Sequence, residues 1–118
     1  MIYGLTEEHG MIADTVRSFV EKEIYPHETL VERTGEVPHE IAQEIKQKTI
    51  DLGFYACNFP ESVGCAGLNH VEFALVEREL GRGSMALNHF FGRPQNILMA
   101  CEGEQVERYL MPAVRGER

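Results

Sequence analysis

Apolar residues in this chain recur at the three-to-four-residue spacing of a helix, and glycine or proline closes one run after another. The sustained apolar–polar alternation of a half-buried strand is missing. A chain built this way has to bury helix faces against helix faces. The pattern predicts an all-α fold, an up-and-down helical bundle of four to five helices, and 118 residues are enough for one such domain with one core.

Five helical stretches are expected. The first runs from about Thr6 to Ile24, with Thr6 as cap, Glu7 and Glu8 in the first turn, and an apolar stripe of Ile12, Val16, Phe19, Val20 and Ile24. Pro26 is expected to stop it. The second starts at Pro38, lines one face with Ile41, Ile45, Thr49 and Leu52, and ends at Gly53. Phe54 to Pro60 is either a brief extended segment or a buried connection, followed by a glycine-bearing turn over residues 61–67. The third helix opens at Asn69 with Glu72 completing a capping box. Its apolar residues fall on two faces, Val71, Ala74 and Leu75 against Phe73, Val76 and Leu80, so neighbouring helices or a further domain must cover both. The fourth, capped by Ser84, is interrupted at Gly92-Arg93-Pro94 and resumes with Ile97 and Leu98; the last, Glu104 to Leu110, is ended by Pro112.

Charge removes several function classes. The net charge is −8 and the basic residues are scattered, a surface that repels phosphate backbones and anionic lipid; neither nucleic acid nor membrane is an expected partner. No apolar run approaches the ~20 residues of a membrane span, and Met1-Ile2-Tyr3-Gly4-Leu5 leads straight into charge without the form of a leader. Cys57, Cys65 and Cys101 form no C-x-x-C pair and read as free thiols of a reducing compartment, which points to the cytoplasm.

Catalytic signatures are few. The five histidines form no H-E-x-x-H and no zinc spacing with the cysteines, so no metal site is expected. G-x-S-x-G is absent, and Gly64-Cys65-Ala66-Gly67 lacks the lysine and preceding strand of a phosphate loop, so it reads as a turn. Glu77 and Glu79, flanking Arg78, read as a solvated helix face. The segment Asn88-His89-Phe90-Phe91-Gly92-Arg93-Pro94-Gln95-Asn96 mixes rings, amides, an imidazole and a guanidinium on an interrupted helix. It is either an ordinary core helix with a polar break or the wall of a pocket.

The segments resemble, in order, the N-terminal helical domain of the acyl-CoA dehydrogenase family. The similarity runs from Leu5-Thr6-Glu7-Glu8 and Asp14-Thr15-Val16-Arg17-Ser18-Phe19-Val20 to Glu23-Ile24-Tyr25-Pro26, then through Pro38 to Asp51-Leu52-Gly53-Phe54. It continues with Phe59-Pro60-Glu61-Ser62-Val63-Gly64-Cys65-Ala66-Gly67-Leu68, where Cys65 replaces a glycine, and Val76-Glu77-Arg78-Glu79-Leu80-Gly81-Arg82. It closes with Glu104-Gln105-Val106-Glu107-Arg108-Tyr109-Leu110-Met111-Pro112 and Arg115-Gly116-Glu117.

The resemblance implies that residues 1–118 form one N-terminal α-helical domain, with the middle β domain and the C-terminal helical domain beyond Arg118. It implies an oxidoreductase in which a glutamate base and FAD together desaturate an acyl-CoA thioester between its α and β carbons. The flavin and the base belong to the other domains, so this chain carries no catalytic or cofactor-binding residue and is expected to be inert alone. Its expected part is to help wall the acyl-chain pocket with Asn88, His89, Phe91 and Gln95, on a fourth helix about one turn shorter than the family's common pattern. Acyl-CoA is the implied ligand and a homo-oligomer the implied assembly. The alternative is a free-standing helical module of the same fold that binds a partner or dimerises through an exposed apolar face.

Overall fold

The computed structural model describes residues 4–117, so Met1 to Tyr3 and Arg118, on which the leader and chain-end readings touch, lie outside the described residues. Helix α1 (Glu7–Phe19) starts as its sequence dictates. Thr6 Oγ1 accepts the His9 N–H at 3.2 Å while His9 Nδ1 accepts the Thr6 N–H at 3.1 Å, a capping box with imidazole in the place usual for a carboxylate. Val16, Phe19, Val20 and Ile24 are buried along one stripe.

Pro26 does not stop this helix. Residues Val20–Ile24 widen into a π-helical turn, in which the Tyr25 N–H reaches five residues back to the Val20 carbonyl, and α2 (Tyr25–Thr34) carries on. Proline inside an α-helix removes a hydrogen bond and clashes with the carbonyl four residues earlier. The π turn resets the ladder, so that Pro26 falls in the first turn of α2, where its missing N–H costs little. The C-terminal end repeats the device: a π turn over Val106–Leu110 leads into α6 (Met111–Val114), and the helix passes through Pro112 instead of ending there.

Helix α3 (His39–Leu52) buries Ala42, Ile45 and Thr49 and ends at Gly53 in the left-handed region. Leu52, expected on the buried face, is nearly half exposed. The stretch after it is a buried connection without strand geometry: Ala56, Cys57 and Phe59 are all buried. Helix α4 (His70–Leu80) has the expected capping box, with Asn69 and Glu72 exchanging two bonds of 2.9 Å. It packs along α1 and buries a single side made of Leu75, Val76, Glu79 and Leu80. Val71 and Ala74 face solvent, so the expectation of two apolar faces is corrected to one.

The fourth expected helix is broken more thoroughly than its sequence indicates. Helix α5 (Met85–Asn88) tightens into a 3-10 turn over His89–Phe91, the chain reverses at Gly92, and a second 3-10 turn covers Asn96–Ala100. No strand occurs among the described residues, and the architecture is an all-helical bundle. Its extents of 44 × 39 × 21 Å make it a slab about two helices thick. One core cluster joins α1, α2, α3, α4 and α5 through residues such as Ile45, Leu80 and Phe91; a smaller one joins Ala56 and Phe59 to Leu110 and Val114.

Candidate functional site

The break after α5 is held by its glycine. Gly92 has φ +93°, a conformation that side chains rarely adopt, and the Tyr55 ring occupies the space its Cβ would need. The Gly92 carbonyl accepts the Ala56 N–H at 2.9 Å, which ties the break to the buried connection. Just before it, Phe91 is fully buried and meets the Phe19 ring edge-on at 5.3 Å between centroids. The segment thus reverses over a fixed core residue and turns its following side chains outward.

The four residues expected to line a pocket divide into two pairs. Asn88 is 6% exposed and spent on the fold: its Nδ2 donates to the Leu80 carbonyl at 3.0 Å and its Oδ1 accepts from Arg93 Nη2 at 3.2 Å. Phe91 belongs to the core and reaches no groove. His89 and Gln95, both exposed, are brought together at the rim of two adjoining grooves. One, of about 390 Å³, runs past Tyr55, Leu98 and Tyr109. The other, of about 500 Å³, runs past Asn58, Phe73 and Glu77. Arg93 and Pro94 line both.

Arg93 organises this wall. Its Nη1 donates to Glu77 Oε2 at 2.6 Å, joining the break to α4, and its Nη2 holds Asn88. Asn58 Nδ2 donates to Asn96 Oδ1 at 2.9 Å across the second groove. Two oxygens are left over: Glu77 Oε1 and Asn58 Oδ1 are closed to solvent and have no hydrogen-bond partner. Such an atom costs about 1–3 kcal/mol. Sequence reasoning read Glu77 as part of a solvated face, noted Arg93 as the guanidinium of the interrupted segment and did not single out Asn58, because the relation among the three is three-dimensional.

A larger groove, of about 600 Å³, lies between α1 and α3, and Thr15, Glu23, Lys48 and Asp51 on it are engaged within the chain. Lys48 donates to Glu23 at 2.6 Å and to Glu44 at 2.7 Å, which raises its own pKa and lowers that of Glu44.

The glycine turn is closed on itself. The amides of Gly64, Cys65, Gly67 and Leu68 donate to the carbonyls of Glu61, Pro60, Phe59 and Cys57. A phosphate or the pyrophosphate of FAD needs free amides, so these residues do not fit the dinucleotide. Among the described residues no group of three or more His, Cys, Asp or Glu side chains is placed to hold a metal ion. Burial pushes the Cys57 thiol up to about 12, which makes it a poor nucleophile.

Glu79 departs from the solvated-face expectation. Its side chain has no solvent contact, and three guanidiniums bind it through their Nε atoms: Arg17 at 2.9 Å, Arg78 at 2.9 Å and Arg82 at 2.7 Å. The bond from Arg17, ahead of those from Arg78 and Arg82, holds the carboxyl down at about 2 against the penalty of burial. This hub fastens α4 to α1 and has a structural role.

The family model described as acyl-CoA dehydrogenase, N-terminal domain, matches residues 6–117. The 3-(aryl)acrylate reductase of Clostridium sporogenes is 31% identical over 96% of this chain and 30% of its own length. The benzylmalonyl-CoA dehydrogenase of Aromatoleum aromaticum is 33% identical over 100% of this chain and 32% of its own. The human mitochondrial short-chain specific acyl-CoA dehydrogenase is 31% identical over 97% and 28%. The chain therefore spans about a third of the length of the curated relatives it matches. No solved structure matches it significantly.

Proposed function

Because this chain belongs to the acyl-CoA dehydrogenase family as its N-terminal domain, we propose that it walls the acyl-chain pocket of a flavin-dependent enzyme. The reaction is α,β-desaturation of an acyl-CoA thioester, or its reverse, since relatives are named both dehydrogenase and reductase. FAD and the base that removes the α proton are held by other parts of the complete protein, and residues 1–118 are inert alone. The ligand is an acyl-CoA, the assembly a homo-oligomer and the compartment the cytoplasm. No described helix is long and apolar enough to cross a membrane.

One observation carries this reading: the break at Gly92 presents His89 and Gln95 at the rim of grooves floored by Tyr55, Leu98 and Phe73. The groove past Tyr55 and Leu98 has the character of a pocket for an acyl group, mostly apolar with a few polar groups that fix orientation. Asn88 and Phe91 act at one remove, by holding Arg93 and the turn in place. In the complete protein, His89→Ala and Gln95→Ala change the ratio of kcat/KM between butanoyl-CoA and octanoyl-CoA by about fivefold or more. An unchanged ratio in both variants contradicts the proposal.

The second reading, a free-standing interaction or dimerisation module, has its own support. Met11, Met85 and Ile97 are 68%, 84% and 76% exposed, large apolar side chains that an interface would cover. Sedimentation of the 118-residue chain decides this: a discrete, saturable dimer favours the module, and a monomer or nonspecific association favours the domain of a larger enzyme.

A further inference from the structure

The groove beside Glu77 holds two acceptors that nothing in the described chain satisfies. Glu77 gives Oε2 to Arg93 at 2.6 Å and keeps Oε1 unpaired; Asn58 gives its Nδ2 to Asn96 and keeps Oδ1 unpaired. Turning the amides over makes the orphaned atom of Asn58 a donor, whereas Glu77 Oε1 stays an acceptor, because a carboxylate can only accept. What suits the wall in either orientation is a donor that can also accept. Arg93 already balances the charge of Glu77, so the site has no net negative charge to draw in a cation, and a neutral donor suits it better. Phe73 and Pro94 line the same groove and give that donor an apolar body to arrive on. Both oxygens are closed to bulk water, so the donor must belong to a group that pushes between the wall side chains.

We propose that the acyl group received here carries a hydroxyl at its far end, which donates to Glu77 Oε1 or Asn58 Oδ1. This rests on the reading of these grooves as the acyl-chain wall. It is a statement about which acyl groups are preferred, and Glu77 and Asn58 are specificity-determining residues that take no part in proton removal.

Two pairs of thioesters test it by calorimetry on the complete protein: hexanoyl-CoA with 6-hydroxyhexanoyl-CoA, and 3-phenylpropanoyl-CoA with its para-hydroxy analogue. The hydroxylated member of at least one pair binds about tenfold tighter than its partner. Asn58→Leu and Glu77→Gln cut that preference to about threefold or less, and thermal midpoints close to the wild type's report that the fold is intact. Equal affinities within both pairs overturn the hydroxyl inference and leave the acyl-wall reading standing, as does a preference that survives both substitutions. Failure of every thioester to bind overturns the acyl-wall reading and this inference with it.

Discussion

Three guanidiniums share one carboxylate at Glu79, and the arrangement is stable because each partner keeps part of itself in water. The carboxylate has no solvent contact, whereas Arg17, Arg78 and Arg82 are 42%, 54% and 47% exposed. Removing a buried charge's partner is costly, but removing the carboxylate leaves only cations that water can solvate. Glu79→Gln is therefore expected to cost about 2 kcal/mol at neutral pH, a figure reduced for solvent screening of the arginines. Its pH dependence has a definite sign. The folded-state pKa is lowered from 4.5 to about 2, so the stabilisation is complete above about 4.5 and is lost as pH falls towards 2. Urea midpoints measured from pH 7 to pH 2.5 fall more steeply below 4.5 for the wild type than for Glu79→Gln. Parallel curves contradict the assignment. Gly92 makes the second prediction at this scale. A methyl group there meets the Tyr55 ring at a positive φ, and strain and overpacking together cost about 3 kcal/mol or more. A Gly92→Ala chain with an unchanged thermal midpoint contradicts the close packing described for the break.

The elements divide by how local their causes are. The cap at Thr6 and the capping box at Asn69 lie within four residues of sequence and were legible, whereas the part of His9 in completing a box at Thr6 was not. So was the stripe of α1, because its residues repeat at helical spacing. The passage through Pro26 and Pro112 was not legible: proline ordinarily ends a helix, and a π turn has no composition that announces it. The Gly92 reversal was seen as an interruption, but its direction depends on Tyr55, 37 residues earlier in the chain. One comparison tests the π-turn account. Pro26→Ala changes stability by no more than about 1 kcal/mol, because the ring already lies where no N–H is needed. Glu28→Pro, two residues on in the regular part of α2, costs about 3 kcal/mol. Equal losses in thermal unfolding refute the claim that Val20–Ile24 accommodates the proline.

At the scale of the molecule, the slab of 44 × 39 × 21 Å closes one good core between α1, α2, α3, α4 and α5 and a smaller one near Phe59. It leaves the 3-10 turn at Asn96–Ala100 without a single buried residue. The overall class was readable from periodicity alone. The candidate site was readable only as a segment: which of its side chains turn outward depends on Phe91 being claimed by the core and Asn88 by Arg93. The central claim is that His89 and Gln95 face an acyl chain across this wall. The most direct measurement is a crystal structure of the complete protein with a non-reactive acyl-CoA thioether bound. The expected result places the acyl tail within about 4 Å of both side chains. An acyl tail that runs elsewhere, with residues 85–95 facing solvent or another subunit, contradicts it.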